Sequence, residues 1–214
     1  MKPVQIPVAV EGVPFIAAAA FAALIAAVLG YDFTALALTG ATLFTLYFFR
    51  DPVRVCPVGD DLILSPADGR IITVQQEDDP VYLDGQVLKV SIFMNVFDVH
   101  VNRVPVAGRV ADIRYQPGRF YSANTEKGAL ENEKCGMIIE TGSGQRLAAV
   151  QVAGLVARRI VCWADVGDTL AAGQRFGLIR FGSRVDLYLP PSADVRVTIG
   201  ERVRAGETIL GKMA

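Results

Sequence analysis

The 214-residue sequence predicts a mainly β protein: a barrel-sandwich-like antiparallel β core preceded by an N-terminal α-helical hairpin. Three observations carry that prediction. Two long apolar runs stand side by side near the N-terminus. From about Val53 onward, short β-branched runs alternate with Gly, Pro and Asp. Two segments near the C-terminus share a Gly–acid–x–apolar–x–Ala–Gly pattern.

The apolar runs are Val13 to Leu29, apolar apart from Pro14, and Phe33 to Phe49, softened only by threonines and a glycine. Each is 17 residues long, at the short end of the roughly 17–25 needed for a helix to span a bilayer. Gly30-Tyr31-Asp32 between them reads as a turn. Lys2 precedes the pair, and Arg50 and Arg54 follow it. Positive residues at both outer ends place those ends in the cytoplasm. Residues 1–50 are therefore expected to form a hairpin dipping into or through the cell membrane from its cytoplasmic face. A secretory signal is disfavoured by Glu11 in the leading segment and by the second run that follows at once. A buried helical pair is disfavoured by the length and lack of charge of both runs.

Residues 51–214 are expected to form one β-rich domain. Candidate strands include Ile71 to Val74, Val87 to Phe93, Gly108 to Ile113, Met137 to Glu140, Leu147 to Val152 and Val185 to Leu189. Turn residues separate them, as in an antiparallel assembly or small barrel. Tyr121 to Lys134 is polar and irregular and reads as an exposed loop. Gly167 to Gly173 resembles Gly200 to Gly206, and each is followed by a further glycine, Gly177 and Gly211. Pro66 to Ile71 likewise resembles Pro105 to Val110. Glycines at these positions suit tight turns between short strands.

The net charge of −1 supplies no field that would draw the chain to nucleic acid. Cys56, Cys135 and Cys162 are odd in number and form no Cys-x-x-Cys pair, so neither a disulfide framework nor a metal site is suggested. A reduced, cytoplasmic setting fits, with each cysteine acting as a small hydrophobe.

Three places could carry chemistry. Gly182-Ser183 sits between apolar stretches, and residues 183–214 are only 32 in number. The serine hydroxyl can attack the open glycine carbonyl, and elimination from the resulting ester turns the serine into a pyruvoyl group. Gly-Ser also marks ordinary turns. His100, the sole histidine, is a natural general acid/base near neutral pH. In strand alternation it shares a face with Asp98 and Asn102. A solvated strand face with an incidental histidine is the plainer alternative. Asp68 lies in Pro66-Ala67-Asp68-Gly69, which is also ordinary turn chemistry.

Phe48-Phe49-Arg50-Asp51-Pro52 after the apolar hairpin, Ser65 to Gly69, Phe97-Asp98-Val99-His100-Val101-Asn102-Arg103 and Phe181-Gly182-Ser183 occur in one order. Together they resemble the short-form phosphatidylserine decarboxylase proenzymes, over nearly the whole chain. The resemblance implies self-cleavage between Gly182 and Ser183, giving a large chain, 1–182, and a small chain, 183–214, that stay together as a heterodimer. It implies a covalent pyruvoyl cofactor made from Ser183, which forms a Schiff base with phosphatidylserine and yields phosphatidylethanolamine. His100 would be the general acid/base, and Asp68 matches the family aspartate. Long-form members carry a second histidine where this chain has Arg103, so their processing triad does not transfer whole.

A rival reading is a membrane-anchored adaptor of the lipoyl/biotinyl barrel-sandwich type, without catalysis. Carriers of that type present a lysine on a hairpin turn, whereas Lys212-Met213 stands at the chain end.

Overall fold

The computed structural model describes residues 7–59, 61–123, 125–154, 159–180 and 183–214. The chain divides into two compact units, Met1–Val53 and Arg54–Ala214.

The first unit is a helical hairpin. Helix α1, Val13–Val28, follows a single 3-10 turn at Val10–Gly12 and carries Pro14 in its first turn, where a missing N–H costs nothing. Helix α2, Asp32–Phe48, starts on Asp32, whose charge complements the helix N-terminus. Its threonines 39, 42 and 45 each donate to a carbonyl one turn back, at 2.8 Å. Their hydroxyls are thus satisfied within the helix. The two ends of the hairpin are laced together: Ala9 N–H donates to Phe49 O and Asp51 N–H to Pro7 O, both at 2.8 Å. Phe21, Leu24, Phe33, Leu36 and Leu43 are exposed along the helices. Val10–Val28 is long and apolar enough to cross a membrane, and α2 is shorter, at 17 residues.

Among the described residues the second unit contains fourteen strands and one short helix. In chain order they are β1 (Leu62–Leu64), β2 (Gly69–Asp79), β3 (Gly85–Met94), β4 (Val101–Arg103), β5 (Gly108–Gln116), α3 (Glu126–Glu131), β6 (Lys134–Glu140) and β7 (Arg146–Val152). There follow β8 (Ile160–Cys162), β9 (Thr169–Leu170), β10 (Arg175–Ile179), β11 (Ser183–Leu189), β12 (Asp194–Val195), β13 (Arg202–Val203) and β14 (Ile209–Lys212). The fold is mainly β, as expected, and these strands pair antiparallel throughout. The long sheet runs β13-β2-β3-β11-β7-β6-β5-β9, and two three-stranded sheets run β1-β14-β12 and β4-β10-β8.

That order is a palindrome. Strands β1, β2, β3, β11, β12, β13 and β14 form one copy of a seven-strand unit, and β4 to β10 form a second copy inserted within it. The two weak sequence likenesses are its visible remnants. Gly200 N–H donates to Ile71 O and Ile71 N–H to Glu201 O. The second copy repeats this with Gly167, Val110 and Asp168. Leu64 N–H donates to Pro105 O, and its counterpart Arg103 donates to Pro66 O. Even the register break recurs, between Ile71 and Thr73 on β2 and between Val110 and Asp112 on β5. Leu187 faces Ala149 across β11 and β7, and each is the other's counterpart. A pseudo-twofold axis therefore passes between these two strands. Ser183 opens the strand on which the interrupted outer copy resumes.

Tyr121 to Lys134 departs from the exposed loop expected. Thr125 caps the short helix α3 by accepting from Gly128 N–H. Asn132, 2% exposed, donates to Tyr121 O and Ala153 O and accepts from Tyr121 N–H. Polarity in this stretch serves internal bonding as well as solvation.

Gly173 has φ +75°, and a Cβ there would lie 2.1 Å from Cys56 Sγ. Its carbonyl also accepts from Arg103 Nη1 at 2.9 Å. Gly173→Ala is expected to destabilise the protein by about 2–4 kcal/mol, read as a lowered urea midpoint with an unchanged slope.

Candidate active site

Ser183 is fully buried at the head of β11, opposite Met94 at the end of β3. On this strand Val185, Leu187 and Leu189 enter the main core, so alternation turns Ser183 to the same inner side. Its Oγ is buried and has no hydrogen-bond partner among the described residues. Leaving a buried hydroxyl unpaired costs about 1–3 kcal/mol, which a purely structural serine would avoid. Gly182, the other half of the expected cleavage site, lies outside the described residues, as does Phe181.

The next residue holds the strand from its other face. Arg184 Nη2 lies 2.5 Å from Asp186 Oδ2, and both side chains are almost wholly buried. Arg184 Nη1 reaches Ala123 O at 3.4 Å. On the same outer face, burial pushes the Tyr82 and Tyr188 hydroxyls well above the usual phenol range, so both remain neutral. Strand β11 also has both edges occupied, by β3 along its whole length and by β7 from Arg184 to Tyr188.

His100 is fully buried immediately before β4. Its Nδ1 lies 3.0 Å from Asp98 O. A carbonyl only accepts, so Nδ1 carries the proton, and in the neutral ring Nε2 holds the lone pair. The backbone carbonyl of His100 accepts from Ile179 N–H at 3.3 Å, which ties it to the strand ending just before the Gly182-Ser183 segment. The reversal after Met94, Ser183's partner, leads back to His100. The structure therefore brings His100 and Ser183 to the same end of the fold.

Asp98 does not share a strand face with His100, because β4 begins only at Val101. It lies in the reversal instead, where Oδ2 accepts from Asn95 N–H at 2.9 Å. Asp68 is also occupied. Oδ2 pairs with Arg54 at 2.8 Å and Oδ1 accepts from Ala205 N–H at 2.8 Å. These bonds hold the Ser65–Gly69 turn against the 200–206 unit. Arg103, where long-form members have a second histidine, is buried and reaches Gly173 O, as described above. It cross-links the β core and supplies no base.

One residue, Gln151, escaped the sequence reading. Gln151, fully buried on β7, donates from Nε2 to Oδ1 of the fully buried Asn102 on β4, at 2.9 Å. A glutamine within the apolar run Leu147 to Val152 was the available signal. Cys162 Sγ donates to Ala164 O at 3.6 Å. The neighbouring Cys135 thiol lowers Cys162 to about 7, while Cys162 and burial push Cys135 up.

Ser183 is thus enclosed, without a partner among the described residues, on a strand paired at both edges, and His100 is buried at the same end of the fold. Comparison with known proteins gives the class. A family model described as phosphatidylserine decarboxylase matches residues 41–211. A protein of Desulfotalea psychrophila named phosphatidylserine decarboxylase proenzyme is 55% identical over 209 residues, covering 98% of each chain. Relatives of the same name from Syntrophotalea carbinolica and Geotalea uraniireducens are 52% and 47% identical, covering 96% and 99% of each chain. The chain belongs to the phosphatidylserine decarboxylase family and is a decarboxylase. A non-catalytic adaptor is thereby set aside.

Iodoacetamide is expected to modify Cys162 before Cys135, since the thiolate is the nucleophile. Its rate should rise through about pH 7, and Cys135→Ala should move that midpoint upward. Peptide mass spectrometry checks both, and earlier labelling of Cys135 would contradict the pairing.

Proposed function

We propose that the chain converts phosphatidylserine to phosphatidylethanolamine with a pyruvoyl group made from Ser183, after cutting itself between Gly182 and Ser183. The observation that carries this is the buried, unpartnered Ser183 Oγ at the head of β11. Relatives named proenzymes are in keeping with a chain that is processed.

In the cutting step Ser183 Oγ attacks the Gly182 carbonyl, and the Gly182–Ser183 amide becomes an ester. His100 takes the hydroxyl proton through the ring nitrogen turned away from Asp98. Elimination then removes the Cα proton of residue 183 and breaks its Cβ–Oγ bond, so Gly182 leaves with the serine oxygen as its carboxylate and a Cα=Cβ double bond remains. Water releases the former serine nitrogen as ammonia. The residue present fits the group, since residue 183 supplies its atoms and no external cofactor is needed. Once formed, the group supplies an electron sink for the charge left when carbon dioxide departs. His100 then returns a proton to the substrate carbon. Asp68 acts at a distance, as a positioning residue through Arg54 and Ala205.

The fragments 1–182 and 183–214 stay together as a heterodimer. Strand β11 is hydrogen-bonded on both edges, and β12, β13 and β14 pair with strands of the same copy. The apolar hairpin delivers the site to the cytoplasmic face of the cell membrane, where the lipid lies.

Ser183→Ala should remain a single chain of 23.0 kDa on a denaturing gel. Wild-type protein should give two chains, the smaller reactive with a carbonyl reagent. Cleavage of the alanine variant would overturn the reading. His100→Ala should lower turnover by about 10²–10⁴-fold, and full turnover would remove His100 from the mechanism.

A further inference from the structure

The internal repeat provides a control for each buried residue. Asn102 on β4 corresponds to Ile63 on β1, and Gln151 on β7 corresponds to Leu189 on β11. Ile63 and Leu189 are fully buried members of the main apolar core. The same fold, at the same two places, is therefore built elsewhere from ordinary aliphatic packing. Asn102 and Gln151 are also fully buried, yet they are amides bonded to each other. Burying two amides costs free energy unless their groups are all paired, and these are not. Gln151 Oε1 is buried with no partner among the described residues. Among the described residues Asn102 Nδ2 has only the thioether of Met94, at 3.8 Å, and a thioether is a weak acceptor.

The pair lies at the candidate site. Met94, which Asn102 touches, is the cross-strand partner of Ser183. Gln151 faces Val185 across β7 and β11, and Val185 is on the same strand face as Ser183. Gly177 makes room for the amide: a Cβ there would lie 2.8 Å from Gln151 Nε2 and 3.2 Å from Oε1.

The two unmet groups are one acceptor, Gln151 Oε1, and one donor, Asn102 Nδ2. The serine headgroup of the lipid offers the complement on a single carbon, an amine that donates and a carboxylate that accepts. We infer that the Asn102–Gln151 pair is the subsite for the α-amino-acid headgroup, Asn102 donating to the carboxylate and Gln151 accepting from the amine nitrogen. This rests on the proposed role of Ser183. All three side chains are closed to solvent before cutting, so headgroup binding follows cleavage of the chain.

The test uses full-length Asn102→Ile and Gln151→Leu, which install the residues of the other copy, and Asn102→Asp, which keeps the shape and removes the donor. Each should be cut into two chains as the wild type is, and the carbonyl reagent should label the small chain. With phosphatidylserine in mixed micelles, KM should rise and kcat/KM should fall about 10- to 100-fold. Asn102→Asp should recover part of that loss at low pH, as its carboxyl becomes protonated and regains a donor; a packing role predicts no such profile. Cut and labelled variants with kcat/KM within about twofold of wild type would overturn the subsite, since a lost charged hydrogen bond costs more. So would folded variants that all stay uncut, because the pair would then serve cutting instead. An uncut or unlabelled wild type would instead refute the role of Ser183.

Discussion

The site depends on the double pairing of β11. This strand belongs to the outer copy of the repeat, but it reaches its place only after the chain has completed the whole inner copy. Strands β3 and β7 then bond its two edges, and Arg184 ties its outer face to Ala123 O. With so many bonds on one side of a single peptide link, that link can be broken while residue 183 stays in place. A surface loop cut in the same way would release its new terminus into solvent.

The repeat also explains why the polar residues near Ser183 differ from those elsewhere in the core. One architecture is built twice in the same molecule, so departures from symmetry stand out against a common packing scheme. Asn102 and Gln151 replace Ile63 and Leu189, and Asp68 replaces nothing larger than Ala107. The first pair, with unmet hydrogen-bonding groups, lies against Met94 and opposite Val185, the strand partner and strand neighbour of Ser183. Asp68 has both carboxylate oxygens engaged and holds a turn. Both would read as buried polar residues in an inventory, but their bonds distinguish them.

Several expectations from the sequence hold in the structure, and for local reasons. The helices end within one residue of the apolar runs, since Gly30 and Asp51-Pro52 stop them. The paired Gly–acid–Ala–Gly units fall at equivalent turns, because positive φ at Gly173 and Gly206 demands glycine whatever the surroundings. Other expectations fail through long-range bonding. Asp98, placed by alternation on the face of His100, instead caps a reversal. Tyr121 to Lys134, polar enough for a surface loop, turns Asn132 inward to hold Ala153. Polarity alone does not tell whether a side chain is solvated by water or by backbone.

The apolar hairpin, the mainly β character, the order of the four family segments and the candidacy of Ser183 and His100 are all legible in the chain before it folds. Each is written in neighbouring residues, through hydropathy, turn chemistry or motif. Long-range pairing alone reveals that the fourteen strands of the described residues are one seven-strand unit built twice, that Arg103 is a cross-link, and that Gln151 meets Asn102. Those facts depend on hydrogen bonds between residues far apart in the chain. The two copies match in sequence at few positions, among them Gly173 and Gly206, Ala172 and Ala205, Pro66 and Pro105, and Arg70 and Arg109. Strand pairing preserves the symmetry because backbone hydrogen bonds do not depend on the side chains they carry.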